Sequence, residues 1–153
     1  MLSKDTYAPL EEWAAFGAAV LIPWDLWLVT FRELYAMQLP LFVPDAAWLL
    51  DTAFVFYDRM QNSTLDARLP GADVMDTTVP SPLRLDGPAR EFWVARTDYA
   101  WPGVRHFASV PSLLYLAVRA DRSKMKEEMG AHHEAMTIAS KKFWAGALSL
   151  ALH

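Results

Sequence analysis

Two acids bracket a short helical pattern early in the chain. Asp25 follows Pro23 and Trp24 at a turn, and Glu33 lies further along beside Arg32 and Tyr35. A helix amino terminus offers backbone N–H donors and the positive end of the helix dipole, which suit a phosphate. A carboxylate at that turn either caps the helix or meets a ligand, and a carboxylate within the helix is either solvated or a hydrogen-bond acceptor for a ligand. His106 beside Arg105 faces a phosphate or ends a strand. Asp98 and Tyr99 beside Trp101 and Pro102 make a polar corner in an aromatic patch, which packs or stacks on a sugar ring.

Other chemistries lack their residues. His132, His133 and Glu134 are adjacent, and neighbouring helix positions point about 100° apart, so the two histidines do not chelate one metal as an i, i+4 pair does. They read as structural histidines. There is no G-x-S-x-G elbow and no phosphate-binding G-x-x-x-x-G-K-[ST] loop. The chain has no cysteine, which removes thiolate metal sites, disulfides and thiol nucleophiles.

The elements that position these residues follow from hydropathy. Ala18–Pro23 and Leu39–Pro44 are short apolar runs closed by proline, the pattern of strands buried in a parallel sheet. Between them, Asp25 to Gln38 carries Trp27, Phe31, Leu34 and Gln38 along one helical face. Strand, helix, strand over about thirty residues makes a βαβ unit. Asp45 caps the next helix, through Trp48, Leu49, Thr52 and Phe56. Asn62 to Pro88 holds four prolines and reads as a long loop. Pro88 opens a helix through Phe92, Trp93 and Tyr99, Val104–Ala108 has strand character, and Ser109 or Ser112 caps a helix through Leu113–Ala120. From Asp121 to Leu152 one stripe of Met125, Met129, His132, Met136, Ala139, Phe143, Ala147 and Leu150 marks a terminal helix, with Asp121 and Ser123 as candidate caps. It packs across the sheet or forms a coiled-coil seam. The expectation is one α/β domain over residues 1–153, with a short parallel, Rossmann-like sheet of three or four strands, packed helices and a long carboxyl-terminal helix.

The segment FRELYAMQLPLFVPD resembles part of the carboxyl-terminal, Rossmann-like domain of GT-B glycosyltransferases, where a glutamate, a small-residue helix, Gly-x-Pro and an apolar strand follow one another. The glutamate position is Glu33. Asp25 stands eight positions earlier, where many retaining members carry an acid. Eight residues of ideal helix leave two side chains about 80° apart, so both meet one ligand only if Asp25 lies in the turn before the helix. Gln38 replaces the usual glycine. The resemblance covers residues 18–50 well and 90–152 loosely. It implies that Asp25, Thr30 and Glu33 line a nucleotide-sugar site, with Glu33 on the ribose hydroxyls, the helix start at the diphosphate, and Arg32 or Arg105 balancing charge. The nucleotide sugar is a substrate, so no cofactor is implied. A GT-B enzyme needs two such domains and 153 residues supply about one, so the acceptor site, and with it a complete transferase, calls for a partner domain or subunit.

Composition offers a second reading. The chain is 54% hydrophobic with 7 Trp and 7 Met, and an interaction module would dock a partner subunit through its aromatic and methionine-rich helices, with Asn62–Pro88 as a contact arm. A net charge of −4 without a basic stripe argues against nucleic acid. The uncharged stretch Trp13 to Trp24 is shorter than a spanning helix, and Lys4, Asp5, Glu11 and Glu12 do not suit a signal peptide. The lysines of the last helix alternate with acids, a poor match to anionic lipid.

Overall fold

The computed structural model describes residues 10–55 and 87–151. In chain order these are α1 (Leu10–Trp13), β1 (Ala19–Val20), α2 (Val29–Ala36), β2 (Leu41–Pro44), α3 (Ala46–Thr52), α4 (Gly87–Val94), a 3-10 turn (Asp98–Ala100), β3 (Arg105–Phe107), α5 (Val110–Arg119) and α6 (Arg122–Ala151). The strands form a parallel sheet in the order β1-β2-β3. Ala19 pairs with Leu41, and Val43 with His106.

The central strand is buried along its whole length, as an apolar run in a two-sided parallel sheet requires. Successive side chains of β2 go to opposite faces. Leu41 and Val43 join Phe31, Leu34 and Tyr35 of α2, Leu49 of α3, Val94 of α4 and Tyr99 in one core. Phe42 and Phe107 join Met125 in a second core, backed by Leu113 and Leu116 of α5. The architecture is therefore α/β with helices on both sheet faces. β1 departs from the expected buried strand. It is two residues at the sheet edge, and Val20 is half-exposed.

Local sequence explains three of the helix starts. Asp45 Oδ1 accepts the Trp48 N–H at 3.2 Å and starts α3. Ser109 and Ser112 form a reciprocal capping box for α5, and Asp121 Oδ1 accepts the Lys124 N–H at 3.0 Å at the head of α6. The pattern beginning at Pro88 yields α4 only to Val94; Tyr99 belongs to the separate 3-10 turn. Of the expected loop Asn62–Pro88, residues 87 and 88 open α4 and the rest lies outside the described residues.

α6 runs about 45 Å at 1.5 Å per residue. Its start passes the amino-terminal ends of β2 and β3. Gly103, at φ +83° just before β3, leaves room for the Met129 side chain and the Met125 carbonyl, and Gly130 faces the amide of Gln38 just before β2. Among the described residues, the buried side chains of α6 lie in this first part. Met125 and Met129 are fully buried, whereas Phe143 is 67% and Leu150 84% exposed. The expected long terminal helix is present and packs on the domain through its first part, and its last part extends beyond it.

Candidate functional site

The turn between β1 and α2 holds Asp25. The sequence pattern starts the helix there, but α2 begins at Val29 with Leu28 in the cap position. Long-range bonds explain the delay. Tyr99, fully buried, donates its hydroxyl proton to the Asp25 carbonyl and accepts the Leu28 N–H at 3.4 Å. Asp25 Oδ1 accepts the Trp27 N–H at 3.3 Å, closing a local turn rather than taking the cap position of α2. Asp25 therefore lies in the turn before the helix. Thr30 is exposed on the first turn of α2, and Glu33, half-buried, lies one turn further along the same side.

The carboxyl end of α2 closes in a Schellman motif. The Leu39 N–H bonds the Leu34 carbonyl at 3.1 Å, and the Gln38 N–H bonds the Tyr35 carbonyl at 2.9 Å. Gln38 itself has φ +55°, a left-handed conformation that glycine adopts at least cost. From there Pro40 leads directly into β2.

Both arginines considered for charge balance are engaged. Arg32 pairs through Nε with Asp98, which is 8% exposed, and lies 6.0 Å from the Trp101 ring centre. Arg105 reaches Glu128 of α6 at 3.1 Å, away from the α2 turn. The polar corner at Asp98 and Tyr99 is packed into the fold. His132 is half-buried against Tyr35 and Trp101, and no metal-holding group of His and acidic side chains occurs among the described residues.

A cavity of about 350 Å³ opens beyond the carboxyl ends of β2 and β3, where ligands of open parallel sheets bind. Leu49 and Val94 are among its apolar lining, and Asp45, Glu91, Thr97 and His106 also border it, although its exposed wall is almost wholly apolar. His106 is the middle residue of β3 rather than its end, and its Nδ1–H donates to the Pro44 carbonyl at 3.2 Å, which leaves Nε2 as an acceptor in the neutral ring. Asp25, Thr30 and Glu33 do not line this cavity. Glu91 and Thr97 were not singled out in the sequence, because no local motif joins them to His106. Only the rule that ligands sit beyond strand carboxyl ends points to Asp45 and His106 together.

A second feature is apolar surface. Val110, Leu114, Tyr115 and Val118 of α5 are exposed, as are Phe143, Trp144, Leu148 and Leu150 of α6. Among the described residues no helix is long and apolar enough to cross a membrane. No protein family, curated protein or solved structure gives a significant match to this chain.

Proposed function

We propose that this chain is the donor-side domain of a GT-B-type glycosyltransferase and that the β1–α2 turn and α2 bind a nucleotide sugar. The observation that carries the reading is the backbone at Gln38. The resemblance expects glycine there, and the chain takes a glycine-like left-handed conformation at that position although the residue is glutamine. A helix, a left-handed turn and a proline-led strand follow one another around Glu33, which supports the resemblance. Asp25 in the turn before α2 meets the condition for both acids to serve one ligand. In this reading the Glu33 carboxylate accepts hydrogen bonds from the ribose hydroxyls, and Asp25 and Thr30 line the sugar-diphosphate end. The amino-terminal turn of α2 supplies N–H donors to the diphosphate. The acceptor and its activating base come from a partner domain or subunit.

The test is thermal unfolding with a panel of nucleoside diphosphates and nucleotide sugars, on wild type and Glu33→Ala. A ligand of the native state at a hundred times its dissociation constant stabilises by about 2.7 kcal/mol. The expected result is a rise in melting temperature with one nucleotide class that disappears in Glu33→Ala. A folded protein indifferent to every nucleotide would sink the reading.

The exposed end of α6 favours a second reading, a non-catalytic module that docks a partner through this helix. Several large apolar side chains exposed close together, here Phe143, Trp144, Leu148 and Leu150, are a feature of interaction surfaces. The two readings are compatible, since the first also calls for a partner.

A further inference from the structure

Along α6, Met129, Met136, Phe143 and Leu150 recur at every seventh position, and Met125, His132, Ala139 and Gly146 form a second row of the same seam. Such spacing keeps side chains on one side of a helix, with a drift of about 20° per repeat. The seam is covered at its start by the domain. Exposure then climbs along it, from 39% at Met136 to 67% at Phe143 and 84% at Leu150.

We infer that the free half of this seam pairs with the same half of a second copy of the chain, antiparallel and centred near Lys141. The inference rests on the docking reading of α6 and names the occupant. The argument is one of size. The exposed part of the first row is large (Met136, Phe143, Leu150) and that of the second row is small (Ala139, Gly146), with Ser140 and Ala147 alongside. A two-fold interface must be complementary to itself. When two such helices run antiparallel, the large row of one faces the small row of the other, and knobs meet holes. Centred at Lys141, Phe143 faces Ala139 of the other copy and Met136 faces Gly146. A Cβ at Gly146 meets nothing within 4 Å, so the hole is open. A parallel pair would instead set Phe143 against Phe143 and Gly146 against Gly146. The free seam from Met136 to Leu150 is about two heptads long, short for a stable two-helix interface. The dimer therefore dissociates on dilution.

The test is solution mass by sedimentation over a concentration series, with register read by disulfide cross-linking. The chain has no cysteine of its own. Wild type is expected at the mass of two chains at high concentration, and Phe143→Glu at half that mass with an unchanged circular-dichroism spectrum. In the antiparallel register Ser140→Cys lies about 3 Å along the axis from its mate and cross-links, whereas Gly146→Cys lies about 15 Å from its mate and does not. A dimer with the reverse cross-linking pattern overturns the arrangement. A wild type monomeric throughout, with apolar-dye fluorescence that Phe143→Glu removes, overturns the second copy and leaves docking to a different chain. A monomer without dye fluorescence overturns both.

Discussion

The Tyr35 hydroxyl joins two elements 97 residues apart: it donates to the Pro102 carbonyl at 2.7 Å and accepts the His132 Nδ1–H at 3.1 Å. The phenol has one proton and the carbonyl takes it, so His132 is the donor in the second bond. The ring of Trp101 meets both Tyr35 and His132, at 5.0 and 5.1 Å between centroids. This cluster ties α2 to the packed part of α6.

Burial, and after it the Glu128 charge, pushes the Tyr35 phenol from its usual 10 up to about 12. The folded state therefore holds this proton more tightly than the unfolded chain does. The stability linked to it is present below about pH 10 and is lost as pH rises to about 12, a fall on the order of 2–3 kcal/mol. Denaturant unfolding at a series of alkaline pH values should show this slope, and Tyr35→Phe should flatten it. At neutral pH the same variant should lose about 1–3 kcal/mol, because the Pro102 carbonyl loses its donor. An equal alkaline slope in both proteins would contradict the assignment.

Gln38→Gly should stabilise the fold by roughly 0.5 kcal/mol. Left-handed backbone costs a residue with a Cβ about 1–2 kcal/mol, and the added freedom of glycine in the unfolded chain returns part of it. Gln38→Val should destabilise, since a branched side chain fits that backbone poorly. Urea midpoints of the two variants against wild type decide the sign.

Gly103→Ala should cost about 3 kcal/mol or more. Its φ of +83° is unfavourable for alanine, and the new Cβ would stand 2.5 Å from Met129 Cγ and 2.6 Å from the Met125 carbonyl oxygen. The backbone carbonyl has little freedom to move, so α6 must lift from the domain. Loss of the Tyr35–His132 contact, read by the NMR shift of the His132 ring, should accompany the fall in melting temperature.

Equivalent substitutions along one seam should divide sharply. Met129→Ala should cost about 2–5 kcal/mol, because the side chain is wholly buried. Leu150→Ala should change the unfolding of a dilute, monomeric sample by less than about 0.5 kcal/mol. Similar losses at both positions would mean that α6 is covered along its whole length.

Much of this fold is readable in local chemistry. Asp45 and Ser109 announce their helices by side-chain capping, and Leu41–Pro44 announces a central strand by having no polar residue. The start of α2 is not readable, because Tyr99, 74 residues from Asp25, holds the turn that delays it. Nor is the overshoot of α6. A stripe tells which side of a helix is apolar, and carries no information on whether a neighbour reaches far enough to cover it. The carboxylates Asp25 and Glu33 come from one contiguous motif and are visible together. The polar residues bordering the cavity, Asp45, Glu91, Thr97 and His106, are scattered over 62 positions of sequence, and only the folded sheet brings them together.

The order β1-β2-β3 follows the order of synthesis. Each strand joins the one made before it, so the sheet can grow by accretion as the chain leaves the ribosome, without an earlier strand waiting for a distant partner. The last piece to arrive is His132. Until α6 has emerged that far, Tyr35 and Trp101 pack on Phe31 but lack the His132 ring that closes the cluster.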